Sequence, residues 1–415
     1  MTAKNKLNEE TIAIIKSTVP VLAEHGEAIT KQFYHLLFTN HPELLHMFNH
    51  VNQSEGKQQR ALAQSIYAAA AHIDKLDEIL PVVKQIAHKH RSLQVKAEHY
   101  PIVGKYLLIA MKDVLQEAAT DEILDAWGEA YSVIADVFIA VEKEMYEEAE
   151  NQAGGWEGFR SFLVIDKVKE SEVITSFYLQ PADGGRLASY RPGQYVSVKA
   201  IIEEEEYNHI RQYSLSEVPG RDYYRISVKR EDGRETPAGI VSNYLHHSIE
   251  PGDKVELTAP AGDFFFDKAS SRPAVFLSGG VGQTPLVSMF KTAAEDSSTK
   301  EITYIHAALN SSVHAFDQEI RDTADRNEKI SYYICYELPN ESDKQKKAYD
   351  KEGFIEEEWL NSLAVSKDAE FYFCGPLPFM KALNSILKEW GVPEERIHFE
   401  FFGPSDNLER EDNPK

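Results

Sequence analysis

At 415 residues the chain is long enough for about three domains, and its 42% hydrophobic content can give each of them a packed core. A formal net charge of −23 repels phosphate backbones and anionic lipid, which argues against nucleic acid and against stable membrane association. Cys335 and Cys374, the only cysteines, supply neither a disulfide framework nor a zinc motif.

The opening MTAKNKLNEETIAIIKS lacks the apolar core of a signal peptide, and no run approaches the ~18 apolar residues of a membrane span. A cytoplasmic, monomeric protein is the expectation. Through residue 150, apolar positions recur at spacings of three and four, as in ITKQFYHLLF and ILDAWGEAYSVIADVFIAVEKEMY, which predicts an all-α domain over 1–150. NQAGGWEG then breaks the pattern. Short segments rich in Val, Ile, Tyr and Phe follow, separated by DGG, RPG, PGD and PAGD, and predict an antiparallel β-barrel over 156–268. The acidic run at 203–206 reads as a solvated loop. From 269 to 415 strands such as PAVFLSGG, EITYIHAAL, KISYYICYE and AEFYFCGP alternate with helical stretches, the pattern of an α/β domain with a parallel sheet.

The histidines in QIAHKHRSLQV differ by helix geometry. At about 100° per residue His90 falls with Val83, Ile86 and Ala87 on the apolar face, whereas His88 falls with Lys84 and Gln85 on the polar one. A buried histidine is either a metal or haem ligand or a hydrogen-bonded core residue. In the last domain SGGVGQTPLVSMF follows a strand and opens a helix. Thr284 suits its N-cap and Pro285 its first helical position, while Gly280 and Gly282 let the backbone approach a pyrophosphate.

The chain resembles the flavohaemoglobins, or nitric oxide dioxygenases, from residue 1 to about 405. The resemblance rests on FYHLLFTNHPELLHMF and GKQQRALAQSI in the helical region, and on LDAWGEAY, AGGWEG, RPGQY, RQYSL, PAGDFF, GVGQTP, CGP and FFGP in family order. It implies a globin haem domain, an FAD-binding barrel and an NAD(P)H-binding domain of the ferredoxin-reductase type, with haem b, FAD and NAD(P)H as cofactors. It makes His90 the iron ligand, backed by Tyr100 and Glu142, with Glu144 a nearby competitor for that place. Tyr34 and Gln58 would line the gas-binding side with Leu62 and Phe48. Gln58 is preferred to Gln59 because Leu62, Ile66 and Ala69 share its face.

In the reductase the resemblance assigns FAD contacts to Tyr190, Arg211, Gln212, Tyr213 and Ser214. It adds Phe401, Phe402, Gly403 and Pro404 as the aromatic cover. Gly280, Val281, Gly282, Gln283, Thr284 and Pro285, with Cys374, Gly375 and Pro376, would hold the dinucleotide, and Lys89 would assist electron entry to the haem. The implied activity turns nitric oxide and dioxygen into nitrate. Two other readings stay open: an oxygen-binding or gas-sensing globin whose reductase keeps iron ferrous, and a flavin or ferric reductase with haem as passenger.

Overall fold

The N-terminal third builds its helices from capped, amphipathic segments. Asn8 caps α1 (Glu9–Ser17) by accepting from the Thr11 amide at 2.7 Å, and Thr120 caps α6 (Asp121–Asn151) in the same way at 3.3 Å. Between them run α2 (Val19–Asn40), α3 (Lys57–Ala71), α4 (Leu80–Ser92) and α5 (His99–Leu115), with a 3₁₀ turn at Pro42–His46. Pro20 and Pro81 sit in the first turns of α2 and α4, where a missing N–H costs nothing. Ile15, Leu22, Ile29, Phe33, Leu37, Met111 and Trp127 form the core of this region. The computed structural model describes residues 7–48, 53, 56–75, 78–203, 205–233, 238–295, 300–403 and 408.

The chain forms two compact units. One comprises Met1–Gln152, Trp156–Gly158 and Lys199–Arg211; the other comprises Ala153–Gly155, Phe159–Val198 and Gln212–Lys415.

Next come β1 (Phe159–Lys169), β2 (Ile174–Pro181), β3 (Tyr195–Ala200), β4 (His209–Ser214), β5 (Tyr224–Lys229), α7 (Ile240–Ser248) and β6 (Lys254–Thr258). The strands lie in the order β4-β3-β6-β1-β2-β5. A bridge between Leu215, just after β4, and Ile226 on β5 brings the two edge strands together, so the sheet closes on itself.

A six-stranded parallel sheet follows. It holds β7 (Ala274–Gly279), β8 (Ile302–Ala308), β9 (Ile330–Tyr336), β10 (Lys351–Glu352), β11 (Glu370–Cys374) and β12 (Ile397–Phe399) in the order β10-β9-β8-β7-β11-β12. Helices α8 (Gln283–Glu295), α9 (Asp317–Ala324), α10 (Glu341–Lys346), α11 (Glu357–Ser362) and α12 (Leu377–Glu389) are interleaved with the strands. The chain runs outward from β7 to β10 and then returns to start β11 on β7's other side. The β7/β11 border is therefore the topological switch point, where such sheets receive ligands beyond their carboxyl ends.

One expectation needs correction here. Thr284 is not the N-cap of α8. A 3₁₀ turn at Gly280–Gly282 runs straight into the helix, which starts at Gln283, and Thr284 Oγ1 donates back to the Val281 carbonyl at 3.1 Å. The glycines permit the tight turn, and Pro285 is the third helical residue rather than the first, still among the positions whose N–H groups have no intrahelical partner.

Candidate functional site

The helical region holds a wedge with two unlike walls. Helix α3 packs on α2 and α4 on α6, but α3 and α4 scarcely touch each other. Of the 15 residues of α3 only Ala70 is buried, although Leu62 and Ile66 face inward and stay half-buried. Two amphipathic helices whose apolar faces are left partly uncovered suit a flat apolar group between them.

On α4, His90 Nδ1 lies 2.7 Å from Glu142 Oε1 and 3.2 Å from the Tyr100 hydroxyl, which itself donates to the same carboxylate oxygen at 2.6 Å. Glu142 is 2% exposed. An ionised carboxylate only accepts, so it fixes the imidazole proton on Nδ1 and leaves the Nε2 lone pair as the donor. That donor set, one imidazole with a free Nε2, would suit a haem iron. Among the described residues no three His, Cys, Asp or Glu side chains gather as a free-ion site. Glu144 is exposed and takes no part. His88 is half-buried, nearer the interior than its polar helix face suggested, and it too lies outside the triad.

The sequence reading missed the supports of this triad. Tyr131 donates to the Tyr100 carbonyl at 2.7 Å, and Tyr146, one turn beyond Glu142, donates to the Val95 carbonyl at 2.7 Å. Burial and the Glu142 charge push the Tyr100 phenol far above its usual range, so it stays a donor.

On the other wall Tyr34 is buried among Phe33, Phe38 and Phe48, with ring centroids 4.8–5.9 Å away. Burial raises its pKa strongly, and a hydrogen bond with Gln58 opposes the rise. Gln58 Oε1 accepts from Gln53 Nε2 at 2.8 Å, while the Gln59 amide turns to the Gln53 carbonyl at 3.0 Å. Gln58, and not Gln59, is thus the amide that acts on the Tyr34 phenol. Lys89 is half-buried on α4.

In the barrel the period of β4 leaves Arg211 and Tyr213 half-exposed, Gln212 exposed and Ser214 buried. Tyr190 is buried, its hydroxyl donating to the Glu217 carbonyl at 2.6 Å. Gly239, the N-cap of α7, has no side chain to cap it, so among the described residues its first-turn N–H groups suit a phosphate.

At the switch point two loops meet backbone to backbone. Gly280 has φ +52°, and a Cβ on Gly282 would strike the Cys374 carbonyl. A Cβ on Gly375 would lie 3.1 Å from the Gly279 backbone, and one on Gly279 would lie 3.0 Å from the Pro376 ring. Gln283 is fully buried, and both polar atoms of its side chain lack partners among the described residues. That is a costly state which a ligand group would relieve. Cys374 is also fully buried; its Sγ lies 3.4 Å from the Glu400 carbonyl, and burial pushes its thiol well up, so it is no nucleophile. Phe401 packs on Phe399, Phe402 is 52% exposed, and Gly403 follows them; Pro404 lies outside the described residues.

Family models match in the same order: "Globin" over residues 31–138, "Oxidoreductase FAD-binding domain" over 161–266 and "Oxidoreductase NAD-binding domain" over 276–385. The chain is 56% identical to a flavohemoprotein of Bacillus thuringiensis subsp. konkukian, covering 97% of this chain and 100% of that one. It is 57% identical to one from Halalkalibacterium halodurans, at 97% and 98% coverage. The chain belongs to the flavohaemoprotein family. Haem, FAD and a nicotinamide nucleotide are the cofactors of its three domains, and the flavohaemoprotein is an oxidoreductase. A crystal structure of flavohemoglobin from Malassezia yamatoensis with bound FAD and heme shares its fold, at TM-score 0.83 and 27% identity over 96% of this chain and all of that one. The FAD/NAD-binding domain of nitric oxide dioxygenase from Vibrio cholerae is 39% identical over 59% of this chain and 99% of that one, at TM-score 0.53. No described helix is long and apolar enough to cross a membrane.

Proposed function

We propose that this flavohaemoprotein is a nitric oxide dioxygenase driven by NADH or NADPH in the cytoplasm. Two nitric oxide and two dioxygen molecules with one NADH give two nitrates, NAD⁺ and a proton, so one hydride supplies both electrons. When bound, haem supplies the iron that takes the gases, and FAD converts a hydride into single electrons, which nicotinamide cannot do.

The observation that carries the reading is the buried Glu142 on His90. Storing oxygen needs no carboxylate there, whereas a carboxylate makes the imidazole more anionic and a stronger electron donor, as in peroxidases. His90 presents Nε2, Tyr100 and Glu142 hold its proton at Nδ1, and Tyr34 and Gln58 offer hydrogen bonds to a polar diatomic ligand in an otherwise apolar wall with Phe48 and Leu62. Arg211 and the start of α7 take the flavin diphosphate. Tyr213, Ser214 and Tyr190, with Phe401 and Phe402, surround its ring, and the loops at Gly280–Pro285 and Cys374–Pro376 take the nicotinamide nucleotide. Lys89 eases electron entry; an unchanged haem reduction rate in Lys89→Ala would remove it from this list.

Stopped-flow addition of nitric oxide to aerobic, NADH-reduced holoprotein tests the reading. Repeated nitrate formation coupled to NADH loss supports it. A single slow turnover with little NADH consumed points to an oxygen-binding globin, and full reductase activity with no call on His90 points to a flavin reductase.

A further inference from the structure

Four charged side chains meet where the barrel packs on the parallel-sheet domain. Glu217 follows β4 and Arg225 lies on β5; Lys291 comes from α8 and Glu319 from α9. Lys291 Nζ bonds one oxygen of Glu217 and one of Glu319. Arg225 Nη1 lies 3.1 Å from Glu319 Oε2 and 3.7 Å from Glu217 Oε2, while its Nη2 donates to the Ser216 carbonyl. The Arg225 guanidinium lies 4.9 Å from the centroid of the Phe316 ring, just ahead of α9. The Arg225 and Glu217 side chains are 4% and 6% exposed, and Lys291 14%.

The cluster is tied to both half-sites. The Glu217 carbonyl accepts from the Tyr190 hydroxyl of the barrel and from Ser288 Oγ of α8, each at 2.6 Å. Helix α8 is the one that opens with Gln283 at the glycine turn. One peptide group therefore joins the flavin side of the barrel to the helix behind the dinucleotide loop.

Apolar side chains would hold the two domains at least as strongly, since burying Arg225, Glu217 and Lys291 forfeits most of their hydration. What charges add is direction: two carboxylates and two cations satisfy one another in one relative placement, and a slide of one domain leaves a buried charge unpaired. Hydride transfer is sensitive to such a slide, because a misplacement of about 1 Å costs roughly a hundredfold in rate.

We infer that the Glu217–Lys291–Glu319–Arg225 cluster is a latch that sets the spacing between the nicotinamide loop and the flavin side of the barrel, with Lys291 and Glu217 as positioning residues for hydride transfer. This rests on the reductase part of the reading above, not on its nitric oxide chemistry.

The test is anaerobic stopped-flow reduction of FAD in the holoprotein by NADH and by its 4-deuterated form, over a range of concentrations. Lys291→Met is expected to lower the limiting rate about tenfold or more. It should bring the isotope effect toward its full intrinsic value and leave the half-saturating NADH concentration within about twofold. Lys291→Arg, which keeps the cation, is expected to recover most of the rate. Hydrogen exchange on the apoprotein gives a second readout, with faster exchange in K291M at 215–219 and 286–292. Glu319→Gln, which loses only the outermost partner, is read in the same way if K291M does not fold. Wild-type rates, isotope effects and exchange in K291M, or in E319Q in its place, would overturn the latch. So would a higher half-saturating concentration at an unchanged limiting rate. Wild-type holoprotein whose FAD is not reduced by NADH would overturn the reductase reading itself and the latch with it.

Discussion

Glu142 is the residue on which most of the proposed chemistry turns. A buried carboxylate is retained only if its hydrogen bonds offset its lost hydration, and the bonds from Tyr100 and His90, at about 1.5–3 kcal/mol each to a charged group, do so. Glu142→Gln keeps the shape and removes the charge. Its expected effects are a lower iron–imidazole stretching frequency by resonance Raman and a fall of about tenfold or more in nitrate turnover. Unchanged values for both would make the carboxylate a packing residue. Tyr34 acts on the opposite wall. Tyr34→Phe keeps the ring among Phe33, Phe38 and Phe48 and deletes the donor, so oxygen dissociation, measured by laser photolysis or rapid mixing, is expected to rise about tenfold or more while folding stability changes little.

At the scale of elements, the loops at the switch point show what a glycine is for. Gly282→Ala drives a methyl into the Cys374 carbonyl, so the β7 and β11 loops must part. A cost of about 1–3 kcal/mol in stability is expected, seen as a lower melting temperature, together with weaker NADH binding. Gly184→Ala, with no atom near its Cβ, reports only the cost of its φ of +68°. The parallel sheet also buries two histidines. The rings of His306 and His314 lie 4.2 Å apart, tilted by 31°; Ser278 Oγ lies 2.7 Å from His306 Nδ1, and Tyr336 and Tyr332 hold both nitrogens of His314. Burial lowers His314 to about 3. The unfolded chain takes up this proton near pH 6.5, the folded one only near 3, so the stability is present above about 6.5 and is lost as pH falls toward 3. Melting temperature against pH should fall over that window, and less steeply in His314→Gln.

Across the whole molecule, what was legible in the sequence was what is local. Apolar periods of 3.6 and 2 gave the order of helical, barrel and parallel-sheet regions, and helix geometry put His90 on the face that meets Glu142. Spacing along α6 favours neither Glu142 nor Glu144; the resemblance named Glu142, and the fold brings that carboxylate to His90. The start of α8 was placed two residues too late because Thr284 and Pro285 resemble a cap and a first helical residue, and only the backbone shows the glycine turn feeding the helix. The latch left no local trace: Arg225 and Glu319 are 94 residues apart, and each is an ordinary charged residue in its own segment. Charge and composition narrowed the classes of partner and said nothing of the chemistry.

The central claim is that electrons from one hydride leave as two nitrates. The measurement that meets it most directly is the ratio of nitrate formed to NADH consumed, with nitric oxide limiting in air, for the holoprotein and for His90→Ala. The account predicts two nitrates per NADH in the first and no catalysed nitrate in the second, with NADH-driven flavin reduction intact in both. NADH consumed without matching nitrate, or an equal nitrate yield after loss of His90, would contradict it.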